Sequence, residues 1–534
     1  MGKNCVFVFF FLCCCLSVKT GNTQGYKNPI IPGFYSDPSI CRVNNDYYLV
    51  NSSFEFFPGI PIWHSKDLIH WEQIGNVLDR LSQLNLKNVN KSDGIGAATI
   101  RFHKGIYYVV VVLSVKGFKN FYVTSTNPAG PWSEPIVVDQ NGIDPSLFFD
   151  DDGKAYFQTN RGHSFSDERA IYQSEIDIKT GRRLSEIKQL WKGSGGTYIE
   201  GPHIYKIKGY YYLLTAEGGT SYGHTVAIAR SKNIWGPYEG CPHNPILTNR
   251  MSYGPIQGSG HGDLIQAHDS TWWMVHLAFR PAVDGIHFIG RETCLSPIEW
   301  DTNGWPVVNK TGMADEKVNV KTPQPVFIPN TKTPYGITDF DRPLGFEWIY
   351  MRNPDTSSYS LTRRKDYLSL RGSDITLDST GTPTFLAIRQ RHFDCKISAL
   401  FDYNPTNNNE EAGLTIYMSP RFHYDSFIST IGNKKYISLR YTLDSLKQLV
   451  KQVPLENNGV VELIVKGTKK LYSFYFKLQD GTEQLVGNLN TRFLGTEVAG
   501  GFTGVIIGLY ATGNGKKCTT YADVDKFEYK QANP

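Results

Sequence analysis

Five times in its first 300 residues the chain repeats one phrase: a small or acidic residue, an apolar run, a turn, then an aromatic-rich strand. The copies are Asp37 in YSDPSI followed by DYYLVNSSF, Ala98 in GAATIRF followed by GIYYVVVVL, Asp144 in GIDPSLFF followed by GKAYFQT, Glu200 in YIEGPHIY followed by GYYYLLTAEGG, and His261 in GSGHGDLI followed by TWWMVHL. Their starting residues stand 46 to 61 positions apart, a spacing that fits propeller blades and similar repeats. With each phrase as the innermost strand of a blade, its first residue points to a shared central opening. Three of the five first residues are carboxylates.

Each phrase is followed by a shorter unit that reads as the outer hairpin of a blade, as in HSKDLIHWEQIG, TSTNPAGPWSEPI and ARSKNIWGPYEG. Trp71, Trp132 and Trp235 in these units are expected to pack between neighbouring sheets. Residues 310–335 are rich in Lys, Thr and Pro without periodicity and read as a linker. From residue 336 alternating strands return without the blade phrase, for example FLAIRQRHFDCKISALFDYNP and GFTGVIIGLYATG. The sequence therefore predicts an all-β protein: a five-bladed β-propeller over 25–309, then a jelly-roll-like β-sandwich over 336–534.

Residues 1–20, with Lys3 ahead of an apolar run from Val6 to Val18, read as a signal peptide, and the mature chain as secreted and extracellular. A formal charge of +5 spread along 534 residues, without dense basic blocks, speaks against nucleic-acid or membrane partners. The cysteines beyond the signal, Cys41, Cys241, Cys294, Cys395 and Cys518, are too widely spaced for a disulfide framework or a zinc site, and their odd number leaves one unpaired. Asn51, Asn90 and Asn309 head glycosylation sequons.

Taken singly, Asp37 and Asp144 before proline are turn residues. Three acids heading the same strand of a repeat ask for more, because turn-making does not demand them in three blades. Two carboxylates facing across a small pocket are the apparatus for cutting a glycosidic bond, and a third nearby raises the pKa of the proton donor. His261 has three readings: a structural histidine, a group binding water or a metal in the channel, or a direct catalyst. No ligand cluster accompanies it, which leaves at most a loosely held, water-rich cation such as calcium.

The blocks NPIIPGFYSDPSI, GIDPSLFFDDDGKAYF, YIEGPHIYKIKGYYYLLTAEGGT, GSGHGDLI and GRETCLSPIEW, with RQRHFDCKISALFDYNP and GFTGVIIGLYATGNG further on, resemble glycoside hydrolase family 43, within it the two-domain β-xylosidase group. The resemblance implies an inverting, cofactor-independent hydrolase with Asp37 as general base, Asp144 as pKa modulator and orienter, and Glu200 as general acid. Inversion asks for carboxyls roughly 6.5–9.5 Å apart. The resemblance further implies that Arg291 binds sugar hydroxyls and keeps Asp144 ionised, Phe54 lines the sugar pocket, and His261 sits over an axial cation or water. Glu217 is a supporting residue, and Phe502 closes one side so that only a terminal sugar fits, giving exo action. The implied substrates are xylo-oligosaccharides and arabinoxylan fragments, cut as a β-1,4-xylosidase, with α-L-arabinofuranosidase as alternative; self-association is left open. Relatives read aromatic-Ala-Pro where this chain has Gly96-Ala97-Ala98, which removes about 1–3 kcal/mol of sugar contact and widens the pocket. A carbohydrate-binding propeller of weak turnover is the rival of another class.

Overall fold

Each phrase folds into the two inner strands of a four-stranded antiparallel sheet, because its continuous apolar runs need a neighbouring sheet on both faces. The computed structural model describes residues 25–115, 117–161, 168–323, 336–455, 459–479 and 481–532. The inner strands are Ser39–Val43, Gly94–His103, Ser146–Phe149, Glu200–Ile207 and Gln257–Gln266, one per blade in chain order. Blade four carries a further short strand, Leu247–Thr248, on Thr225–Ser231. Tyr26–Lys27, at the start of the described chain, pairs with Lys317–Val318 at the far end of the propeller. Lys317–Val318 falls in the expected linker, so the first part of that segment belongs to the propeller. Residues 324–335 of it, like the signal segment, lie outside the described residues.

The predicted inter-blade tryptophans pack as expected. Trp132 of blade two joins the cluster of blade-one residues such as Ile62 and Val77, and Trp71 of blade one packs against the cluster holding Trp273 and Leu295 of blade five. Trp235 of blade four meets Tyr156 of blade three edge-on, 5.5 Å between centroids.

The centre of the propeller is closed by polar residues. Ser39, Thr99, Ser146, His203 and Asp263, one from each inner strand, form a connected ring. Ser39 Oγ donates to Asp263 Oδ2 at 2.6 Å, Thr99 Oγ1 to the Pro145 carbonyl at 2.9 Å, and Ser146 Oγ lies 3.2 Å from His203 Nδ1. Arg101 joins the ring across the channel, with Nη1 2.8 Å from Asp263 Oδ2 and Nη2 2.9 Å from His203 Nδ1. Burial pushes His203 down to about 3, so its Nδ1 is a free acceptor for the guanidinium.

This ring fixes the true register of the blades. Two residues before each ring member stand Asp37, Ala97, Asp144, Gly201 and His261. The sequence reading placed Ala98 and Glu200 at this position, one residue late and one residue early. A bulge accounts for both, since strand pairing breaks between Ile95 and Ala98 and between Glu200 and His203. Asp37 (φ 53°), Asp144 (φ 53°), Gly201 (φ 58°) and His261 (φ 46°) all adopt the left-handed conformation, which for the three non-glycines costs about 1–3 kcal/mol each. Ala97 of blade two does without it.

The C-terminal unit is a sandwich of two large antiparallel sheets around one core that includes Ile397, Phe401, Leu414, Val465 and Leu509. It does not stand apart. Phe56–Phe57, in the loop after the second strand of blade one, pairs with Ile349–Met351 and becomes the outermost strand of one sandwich sheet. Among the described residues no helix is long and apolar enough to cross a membrane. The five cysteines among the described residues are free and buried. Asn51 is buried and donates its amide to Tyr35, Ser36 and Thr293, which closes that sequon in the folded state, whereas Asn90 is exposed.

Removing Arg101 leaves the Asp263 carboxylate buried and without its counter-charge, so Arg101→Met should lose about 3–5 kcal/mol in denaturant unfolding. Ser39→Ala, which removes one hydrogen bond to that carboxylate but leaves its counter-charge in place, should lose less, about 1.5–3 kcal/mol. Equal losses would show that the ion pair is not what holds the ring.

Candidate active site

The blade heads open into a cavity of about 430 Å³ lined by seven of the residues singled out in the sequence, Asp37, Phe54, Asp144, Glu200, His261, Arg291 and Phe502, with Glu217 outside it. The left-handed turns at Asp37, Asp144 and His261 lift these side chains from the sheet toward the axis, where one blade alone could not assemble a site.

Asp37 is buried and held on every side. Ser52 Oγ and Ser36 Oγ donate to Oδ2 at 2.6 and 2.9 Å, and Arg291 Nη1 donates to Oδ1 at 2.9 Å. Burial alone would raise this carboxyl, but Arg291, His261 and the two hydroxyls outweigh it and hold Asp37 below the ordinary aspartate value. Asp144 accepts the Gly201 N–H at 3.0 Å. There burial, with the charge of Asp37, overrides the attraction of His261, and the carboxyl is raised. Glu200 is raised well above the ordinary glutamate value by burial and by the charges of Asp144 and Asp37. One pocket thus holds one carboxyl pressed toward its anion and another pressed toward its acid.

Arg291 makes its charge-assisted bond to Asp37, with further contacts to Thr220 Oγ1 at 2.8 Å and the Phe502 carbonyl at 3.2 Å; its charge also favours the ionised form of Asp144, as the resemblance implied, but without a bond to it. The cause is placement: Arg291 enters from blade five, which adjoins blade one around the ring, while Asp144 lies in blade three. His261 Nδ1 sits 3.9 Å from both Asp37 Oδ1 and Asp144 Oδ2, so its ring bridges the two acids electrostatically. Gly201 leaves room beneath it, since a Cβ there would press on that ring at 3.2 Å. Among the described residues no group of three or more His, Cys, Asp or Glu is disposed to hold a metal ion. A calcium ion beside His261 would take most of its six to eight oxygen ligands from water.

Glu217 supports the site from outside. Its carboxylate accepts from Ser194 N, Ser194 Oγ and Gly196 N at 2.7–2.9 Å, bracing the segment that leads into Glu200, and its strand pairs with that of Glu200.

The sandwich supplies Phe502, which stacks on Phe54 at 6.1 Å between centroids, with the Arg291 guanidinium against both rings. Sequence reasoning missed what holds it there. Phe502 N donates to Ser92 Oγ at 2.8 Å, and Lys91 Nζ donates to the Ala499 and Gly500 carbonyls at 2.6 Å each. Glu55 accepts the Ser92 N–H at 3.0 Å; burial raises its carboxyl to about 7. The contacts span some 400 residues, and the only local mark was a sequon at Asn90. On blade two the wall is low, made by Gly96, Ala97, Val112 and Phe118.

Residues 26–306 match the model of glycosyl hydrolases family 43, and residues 338–530 match the beta xylosidase C-terminal concanavalin A-like domain. The chain is 40% identical to a non-reducing end alpha-L-arabinofuranosidase of Bacteroides ovatus, over 95% of this chain and 94% of that protein. It is 38% identical to a xylosidase/arabinosidase of Butyrivibrio fibrisolvens, covering 95% and 99%. The crystal structure of a xylan beta-1,4-xylosidase from Bacillus halodurans superposes with a TM-score of 0.89 at 34% identity, covering 95% of this chain and 100% of that one. The sandwich is accordingly of the concanavalin A-like kind, and the protein is an exo-acting glycoside hydrolase that belongs to family 43.

Proposed function

We propose that the protein releases xylose from the non-reducing ends of xylo-oligosaccharides with inversion, and that α-L-arabinofuranosides are a second substrate class. The observation that carries this reading is the opposed ionisation of Asp37 and Glu200 in one pocket, the pattern that separates a base from an acid. Glu200 gives its proton to the glycosidic oxygen as the bond from that oxygen to the anomeric carbon breaks. Asp37 takes a proton from a water whose oxygen bonds that carbon from the opposite face. Asp144, at 3.9 Å from His261, keeps Glu200 protonated by its negative charge. Arg291 holds Asp37 ionised and stands with Phe54 and Phe502 around the sugar.

The second substrate class rests on the 40% identity to a protein named as an arabinofuranosidase. Among these roles none needs a cofactor, and no step passes through a calcium ion. We further read the protein as exported, from the Lys3-led apolar segment at its start.

Aryl β-D-xyloside and aryl α-L-arabinofuranoside, assayed side by side with the product anomer followed by NMR, decide the reading; retention of configuration would overturn the base role of Asp37. Glu200→Gln should lose about 10²–10⁴-fold on poor leaving groups and much less on activated aryl glycosides, whereas Asp37→Asn should fail on all. Activity should fall at low pH as Asp37 gains its proton, below the usual carboxylate range, and at high pH as Glu200 loses its own, above that range. The alkaline limb should vanish in Glu200→Gln; its persistence would assign the acid elsewhere.

Loosening the Phe502 attachment tests the sandwich's part. Ser92→Ala frees the Phe502 N–H, worth about 1 kcal/mol, and should raise KM about fivefold at unchanged kcat and melting temperature. An unchanged KM would show that the pocket does not need Phe502 held.

A further inference from the structure

The five blade heads are not equivalent, and the odd one faces an opening. Four blades place Asp37, Asp144, His261, or Glu200 beside Gly201, at the axis; blade two places Ala97, preceded by Gly96. With so little side chain at the head, the blade-two side of the pocket is lined by Asp93, Val112, Ser114 and Phe118. Asp93 and Ser114 also line a second cavity of about 660 Å³, together with Asn85, Lys87, Asn88 and Asn90.

The direction of this opening follows from the chemistry. The acid must stand beside the leaving oxygen, so the departing part of the substrate lies on the side of Glu200, in blade four. In a ring of five, blade two adjoins blades one and three but not four. The second cavity therefore lies away from the leaving group, beyond the sugar whose anomeric carbon is attacked.

Its lining suits a sugar. Three asparagine amides, the Asp93 carboxylate, the Lys87 ammonium and the Ser114 hydroxyl offer donors and acceptors, and one cation against one anion leaves no net charge to select an ion. The lining is also fixed before any ligand arrives. Arg352 Nε of the sandwich donates to the Val89 carbonyl at 2.7 Å, and Asn353 bonds both Leu84 O and Leu86 N, pinning the segment that carries the asparagines. A segment held in this way loses little freedom on binding.

We propose that this cavity is a second glycone subsite, holding one further sugar joined to the far side of the sugar that is attacked. The enzyme then also cuts the second linkage from a non-reducing end: water adds across that bond and a disaccharide leaves intact. The inference rests on the glycosidase reading above and adds to it the length of the unit released.

The test compares 4-nitrophenyl β-xylobioside with 4-nitrophenyl β-xyloside, following nitrophenol and sugar products together. The unaltered protein should release nitrophenol and xylobiose from the first substrate at the start of the reaction, with kcat/KM within about tenfold of that on the second. Asn85→Trp, which fills the second cavity from its outer side, should lower the xylobioside value at least about tenfold and leave the xyloside value within about twofold. Asn90→Ala, a milder change, should raise KM for the xylobioside only. Release of xylose ahead of nitrophenol, or equal effects of Asn85→Trp on both substrates, would overturn the subsite. Should neither substrate be cleaved, the glycosidase reading fails on its own, and calorimetric titration still decides the subsite. Xylobiose binding about tenfold more tightly than xylose, with the advantage lost in Asn85→Trp, supports it; equal binding refutes it.

Discussion

The site depends on a charge pair that takes no part in it. Arg101 and Asp263 meet below the floor of the pocket and draw Ser39 and His203 into one bonded ring. Every ring member lies two residues after a blade head, so fixing the ring fixes where Asp37, Asp144 and His261 project. Left-handed turns at three non-glycine residues persist only if the strand beyond each is clamped, and the ring is the clamp. The attraction of a buried ion pair is consumed largely by the desolvation of its partners. What it contributes is register, because a slip of one residue in any inner strand would leave a carboxylate facing an apolar neighbour.

The electrostatics of the pocket follow from three neighbours of unequal reach. Asp37 has a guanidinium and two hydroxyls in direct contact, Asp144 a single backbone N–H, and the Glu200 carboxyl has no bonded donor among the described residues. Their affinities for a proton rise in the same order as their bonded donors fall away. No unusual residue is required for this; the gradient comes from which blade adjoins blade five, where Arg291 originates.

Much of this was legible in the sequence, for a physical reason. Inner strands of a propeller must be apolar on both faces, and that requirement repeats visibly at each blade, so the five phrases, their order and the carboxylates at their heads could be read directly. What failed was finer. Ala98 and Glu200 were each set one residue off, because a bulge inserts a residue without leaving a sign in composition. The bond from Arg291 to Asp37 was not foreseen, because adjacency around a ring is not adjacency along a chain. Lys91, Ser92, Arg352 and Asn353 went unseen, since their partners lie more than 200 residues away and are backbone atoms, which no residue type announces.

The strand Phe56–Phe57 has a meaning for how the two units came to be inseparable. A sheet that ends on Ile349–Met351 would present a row of bare N–H and C=O groups, the template on which other chains add themselves. Here the row is covered by two residues that blade one lends from beside Phe54. A sandwich expressed without the propeller would be a sticky edge as much as a missing wall. Separating the two units would expose that edge, so the wall that Phe502 gives the pocket is kept in place by a strand whose loss would leave the sandwich prone to aggregate.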